Sequence, residues 1–302
     1  GWTPARNAAN FNRLEAAAQA NRASIDASAN PFALPAPPGT VDAMPVAPVG
    51  GISQNISSTL VISTAVADRT FNVTGAVSEA INLTAGGSLT RCVLNCNGLV
   101  SNIAIRGNDT TSTFVRDVRI NGAGTTPYGF FALHYTGNCY ATRCNVGYRL
   151  SGNGVGSPVG STLLAYDCSG FGFIAEHLSS ANYQGLIQAD FTGGTGGGGA
   201  ATGFTTWQNI STATFAFIRS TRNNGYGLAC VNALEVPPNV NNLWFKAVDI
   251  DGAGASGDSD PGFVITGGTN GTRIDQIVVK NHTYNAVQET DNAWQIRRET
   301  NI

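Results

Sequence analysis

Charge is scarce in this chain. Of 302 residues only 12% are charged, lysine appears just twice (Lys246 and Lys280), and there are three histidines and one methionine. A formal net charge of −2 leaves no basic stripe of the kind that a nucleic-acid partner requires, so that class is set aside. No apolar run reaches the ~18 residues of a membrane-spanning helix. The sequence opens at Gly1 without an initiator methionine, as a trimmed sequence does. What fills the space is glycine, 37 residues of it, with Asn, Thr and Ser at the polar positions.

From about Cys96 to Asn281 these residues repeat. Arg143-Cys144-Asn145-Val146-Gly147-Tyr148 is echoed by Asp167-Cys168-Ser169-Gly170-Phe171-Gly172-Phe173 and by Arg222-Asn223-Asn224-Gly225-Tyr226-Gly227-Leu228. Anchored on the small residue, the intervals are 25 (Cys96 to Asn121), 23 (to Cys144) and 24 (to Cys168); Asn223 follows 55 later, as two coils. A period in the twenties with one strand–bend–strand unit marks a solenoid. The expected fold is all-β, a right-handed, single-stranded parallel β-helix over 52–290, with Cys and Asn stacked in a bend and glycine supplying its backbone conformation. A short N-terminal α-helix over 1–30, a Pro-rich connector over 31–51 and a capping tail over 291–302 complete the reading.

The six cysteines, Cys92, Cys96, Cys139, Cys144, Cys168 and Cys230, allow three readings: stacked core thiols, disulfides, or a four-thiol zinc site. Three fall in the repeat and no pair has CxxC spacing, so the core reading leads and neither metal nor cofactor is expected. The glycine tract 193–203 reads as a loop between coils, since no lysine or helix follows it to cradle phosphate. Asp249, Asp251, Asp258 and Asp260 read as a solvated loop, with calcium as the alternative.

Near the start, Phe11, Leu14, Ala18, Asn21 and Ile25 form a short heptad stripe, fit for a trimeric coil or for a cap over the solenoid. Thr3-Pro4-x-x-Asn7-x-x-Asn10-Phe11-Asn12-x-Leu14-Glu15 resembles the "N-x-L-N-x-L-E" helix near the N-termini of bacteriophage tail fibres and other tail appendages. Phe11 stands for the usual leucine, and Ala16-Ala17-Ala18 for the Gly-Ile that often follows. Leu34-Pro35-x-Pro37-Pro38-Gly39-Thr40 is similar to the "L-P-P-G-T" turn that enters such helices, and the repeats resemble the pectin-lyase-like β-helix of tailspikes. The resemblance implies a homotrimeric appendage on the virion, assembled in the host cytoplasm. It implies attachment to other tail proteins through the N-terminal helix, and a bacterial surface polysaccharide as ligand. Depolymerisation, a purely structural virion role, and a free polysaccharide lyase or hydrolase remain open beside recognition.

Candidate residues follow from that chemistry. Hydrolysis needs two facing carboxylates, and a lyase needs a base and a cation. Glu176-His177 ends the strand that begins at Phe171, with Asp167 and Asp190 as second carboxylates. His134 and His177, five residues after Gly129 and Gly172, share a repeat phase and are expected on one face. Stacking on a sugar would use the aromatics Trp207, Trp244 and Tyr183.

Overall fold

The computed structural model describes residues 51–108, 112–192, 201–230, 240–252, 262–265, 269–270, 272–281, 294–296 and 299–300. The N-terminal helix, the connector up to residue 50, and Asp258 and Asp260 lie outside them. Among the described residues all regular structure is β, and every strand pairing is parallel. The register is that of a solenoid. Cys92 lies opposite Val118, then come Cys139, Leu163, Ile187, Ile218, Val248 and Ile277, each on the next coil. Coil length is 24 from Cys139 to Leu163 and again to Ile187, and stretches to 31 at Ile218. Cys144 and Cys168 sit in adjacent layers: the Ser169 N–H donates to the Cys144 carbonyl at 2.9 Å, and that of Gly170 to Asn145 at 2.9 Å.

Each coil has three straight segments, as in 88–90, 92–95 and 100–107. Parallel pairing aligns equivalent residues over one another at ~4.8 Å, so the interior is built of columns. One holds Ile81, Ile105, Phe130, Tyr148, Phe173, Phe204, Leu228 and Phe263. Its rings stack, with centroids 4.9 Å apart for Phe130–Tyr148 and 4.5 Å for Tyr148–Phe173. The residue before each large one is small: Ala80, Ala104, then Gly129, Gly147, Gly172, Gly203 and Gly227. A Cβ on Gly147 would stand 2.7 Å from the Ala165 Cβ and 2.8 Å from the Gly172 carbonyl; one on Gly172 would stand 2.5 Å from the Gly203 carbonyl. The repeated glycine therefore makes room for the neighbouring coil. It is not the left-handed bend residue that the sequence suggested. That conformation belongs to Arg143 (φ 55°), Asp167 (51°), Phe191 (57°) and Arg222 (53°) at one corner, and to Asp68, Arg91 and Asp117 at another.

The small-residue column is Cys96, Thr126, Cys144, Cys168, Thr192 and Asn223, and the two-coil step to Asn223 holds, since the Thr192 N–H donates to Asn223 Oδ1 at 2.8 Å. Asn121 is not a member. It pairs with Asn95 and Thr142 on the preceding segment, because the stretch 122–125 holds three more residues than the corresponding turn at Arg143 before Thr126 resumes the column opposite Cys144. Asn95 and Asn72 do form an amide ladder, Nδ2 to Oδ1 at 3.0 Å. All six cysteines are buried free thiols. Cys92 and Cys96 occupy different columns, as do Cys139 and Cys144, which fits the core reading. Gly203 belongs to the strand Thr202–Thr206, so the glycine tract ends inside the ladder; residues 193–200 lie outside the description. The ladder continues into Trp294–Ile296 and Glu299–Thr300, within the stretch expected to cap it.

Candidate functional site

The outward residues of the third segment form two further columns. One runs Asn82, Arg106, Phe131, Arg149, Ile174, Thr205; the other Glu79, Ile103, Tyr128, Val146, Phe171, Thr202. Ile103, Val146 and Ile174 are buried, and share these columns with the half-buried Tyr128, Phe131 and Phe171. The Arg149 guanidinium lies 4.9 Å from the centre of the Phe131 ring and 5.4 Å from that of Tyr128; Arg106 lies 5.2 Å from Phe131 on the neighbouring coil. Cation–π contacts of this kind contribute ~0.5–1 kcal/mol when exposed and more as water is removed. Phe171 packs on Trp207 at 6.2 Å.

Glu176 lies at the end of this face, 1% exposed, and accepts a hydrogen bond from Arg149 Nε. His177 follows at φ 48°, exposed, with Gln208 Nε2 3.3 Å from its Nε2 and Asn209 Nδ2 3.2 Å from its Nδ1. Its main-chain N–H donates to the Gln208 carbonyl, as that of Trp207 does to Ala175. Glu176, His177 and Trp207 are thus brought together, with Arg149 and Phe171 beside them. Arg149, Arg106, Tyr128 and Phe131 were not anticipated. The signal was present: the residue after each inner-column residue is Arg106, Phe131, Arg149 and Ile174, legible once repeats are aligned on the small–large dipeptide.

His134 is elsewhere. It opens the first segment of its coil, opposite Phe114, whose ring meets it edge-on at 5.6 Å, and burial holds its pKa below the ordinary value against a hydrogen bond to the Gly154 backbone. The shared phase fails because the turns differ. Only Ala132 and Leu133 separate Phe131 from His134, whereas after Ala175 the register shifts and the strand runs on to Ser179.

Asp167 and Asp190 stand at the corner before the third segment. Asp190 is buried and accepts from Arg222 Nε at 2.8 Å and Nη2 at 2.5 Å, and from Thr221 Oγ1 at 2.9 Å. Arg222 lies over Phe191, which stacks on Tyr166. Burial raises the pKa of Asp167, and Arg143 partly offsets it. The run from Phe171 to Ala175 separates this corner from Glu176, about 16 Å at strand rise, well beyond the ~5–9.5 Å between the carboxylates of a glycosidase. Glu176 is not assembled with either aspartate as a hydrolytic pair.

Trp244 is half-buried on the first segment. Its Nε1–H donates to Asp275 Oδ2 at 2.8 Å, with Arg273 and Lys246 4.6 and 5.0 Å from the ring centre. Tyr183 is fully buried, in the inner column between Ser157 and Phe215, which removes it as a surface for sugar stacking. Asp249 pairs with Arg219, and Asp251 accepts from Asn281 Nδ2. Among the described residues no three His, Cys, Asp or Glu side chains gather as a metal site, and no helix is long and apolar enough to cross a membrane. No protein-family model, no curated protein and no solved structure matches the chain.

Proposed function

We propose that this chain is a right-handed parallel β-helix from a homotrimeric bacteriophage tail appendage, carried on the virion through its N-terminal segment. Its role is recognition of a bacterial surface polysaccharide. The carrying observation is the outward row of Tyr128 and Phe131 on one coil, Phe171 two coils on and Trp207 on the coil after that, interleaved with Arg106 and Arg149. Half-buried rings present flat apolar faces to sugars, and guanidinium groups donate to sugar oxygens. The parallel ladder and the tail-appendage likeness of residues 3–15 and 34–40 support the viral context. Binding is favoured over cleavage because the ion pair with Arg149 ties Glu176, and the carboxylates of Asp167 and Asp190 lie too far from it.

The test is a microbial glycan array paired with spotting on lawns of the cognate host. Binding without clearing is the expected result, weakened several-fold by Trp207→Ala or Phe131→Ala. Haloes that survive Glu176→Gln would place a cleavage site elsewhere on the chain. Silence in both assays would assign a scaffold role.

A further inference from the structure

Arg149 and Arg106 occupy one outward column with Phe131 between them, so their guanidinium groups lie on either coil beside that ring, about 10 Å apart along the stack. Each has a carboxylate partner. Arg149 donates from Nε to buried Glu176; Arg106 Nη2 lies 3.1 Å from Glu79 Oε1. Neither arginine exhausts its five donors. The terminal nitrogens of Arg149 make no hydrogen bond among the described residues and its side chain is 26% exposed; Arg106 keeps a buried Nε without a partner. With Nε held by Glu176 and the guanidinium carbon over the Tyr128 and Phe131 rings, the Nη edge of Arg149 is a preorganised two-donor fork. Such a fork matches a planar carboxylate.

We infer that the glycan taken by this face carries carboxylate groups, as a uronic-acid polymer does, and runs along the solenoid with Arg149 and Arg106 meeting acidic groups on separated sugars. This rests on the glycan-recognition reading above. Glu176 is then a positioning residue for Arg149 and not an acid or base. Because each arginine has its own glutamate, the face is close to neutral. Selectivity comes from donor geometry and not from a broad positive field.

The array above carries uronate-containing, sulfated, phosphorylated and neutral glycans, and each uronate is also presented after chemical reduction of its carboxyl to the alcohol. Preference for the unreduced uronates is expected, about tenfold or more, the weight of one charged hydrogen-bonded contact. Arg149→Met with Glu176→Gln removes the fork without stranding a buried charge. It should erase that preference, so that reduced and unreduced forms bind alike, while the circular dichroism spectrum holds. Glu176→Gln alone keeps an oxygen to accept from Nε and should retain the preference within about threefold, whereas loss of binding there would show Glu176 itself meeting the ligand. Equal binding of reduced and unreduced forms, or of sulfated and phosphorylated members, overturns the inference and leaves glycan recognition standing. An array with no binding at all retires both.

Discussion

Replacing Gly172 by alanine tests whether the fold depends on glycine for space or for backbone freedom. The added methyl would stand 2.5 Å from the Gly203 carbonyl oxygen and 2.6 Å from the Ala189 Cβ, so its neighbours must move by roughly 0.7 Å or more. They are poorly placed to do so. Phe173 pairs with Phe204 one residue on, and the ladder fixes the spacing of the two coils. The cost belongs at the upper end of overpacking, about 2–3 kcal/mol, which lowers Tm by roughly 4–12 °C for a body of this size. Gly124 is the control: φ is +86° and nothing lies within 4 Å of its added Cβ, so alanine there pays only the left-handed penalty of about 1 kcal/mol. Thermal unfolding followed by far-ultraviolet circular dichroism ranks the two. Ala189→Gly should return part of the Gly172→Ala loss, because it removes one clash and leaves the carbonyl. A Gly172→Ala loss no larger than that of Gly124→Ala would refute the account of the glycine column.

Burial pushes the Cys96 thiol from its ordinary 9.0 to about 11 and those of Cys139, Cys168 and Cys230 to about 12. The unfolded chain therefore releases protons that the fold retains, and stability should be full below pH 9 and fall as pH rises from 9 to 12; urea midpoints across that range read it. The same burial predicts that none of the six thiols reacts with a disulfide reagent at pH 8 until denaturant is added, and rapid native labelling would contradict the columns. Asp190→Asn leaves Arg222 facing a neutral partner at the corner and should cost about 2 kcal/mol, less than a fully buried pair because Arg222 is partly exposed. An unchanged midpoint would show that the pair contributes nothing net.

The sequence revealed the columns wherever adjacent residues carry them. A small residue followed by a large one recurs at Gly147-Tyr148, Gly172-Phe173 and Gly227-Leu228 because both point inward at one bend, so the pattern is local and survives any change in loop length. Phase carried across a turn was less reliable. Counting from Cys96 led to Asn121 because nothing in the run Gly122-Ala123-Gly124-Thr125 announces an insertion, and counting five from a glycine equated His134 with His177 across turns of different length. The outward face was harder still. Arg106, Phe131 and Arg149 share no chemistry along the chain and become neighbours only through pairing between coils, so period alone does not separate a site from a solvated surface.

That difference bears on how such a face can arise. In a globular enzyme, a site depends on loops whose length and conformation must be kept. Here Phe173 and Phe204 remain opposite each other although 31 residues separate them, against 25 between Tyr148 and Phe173, because the extra chain is accommodated between segments and the ladder restores the register. Outward columns are held by the same pairing. A substitution at Phe131 or Arg149 therefore alters the outward surface while the inward Phe130, Tyr148 and Phe173 keep the coil in place. On the proposed reading, recognition and stability reside on alternate sides of one strand. The variants that separate them are paired neighbours: Phe131→Ala should weaken glycan binding and spare the fold, and Phe130→Ala should cost about 3–5 kcal/mol of stability by opening a cavity beside Tyr148. If Phe131→Ala destabilises as much as Phe130→Ala, the outer rings are a second core and not a recognition surface.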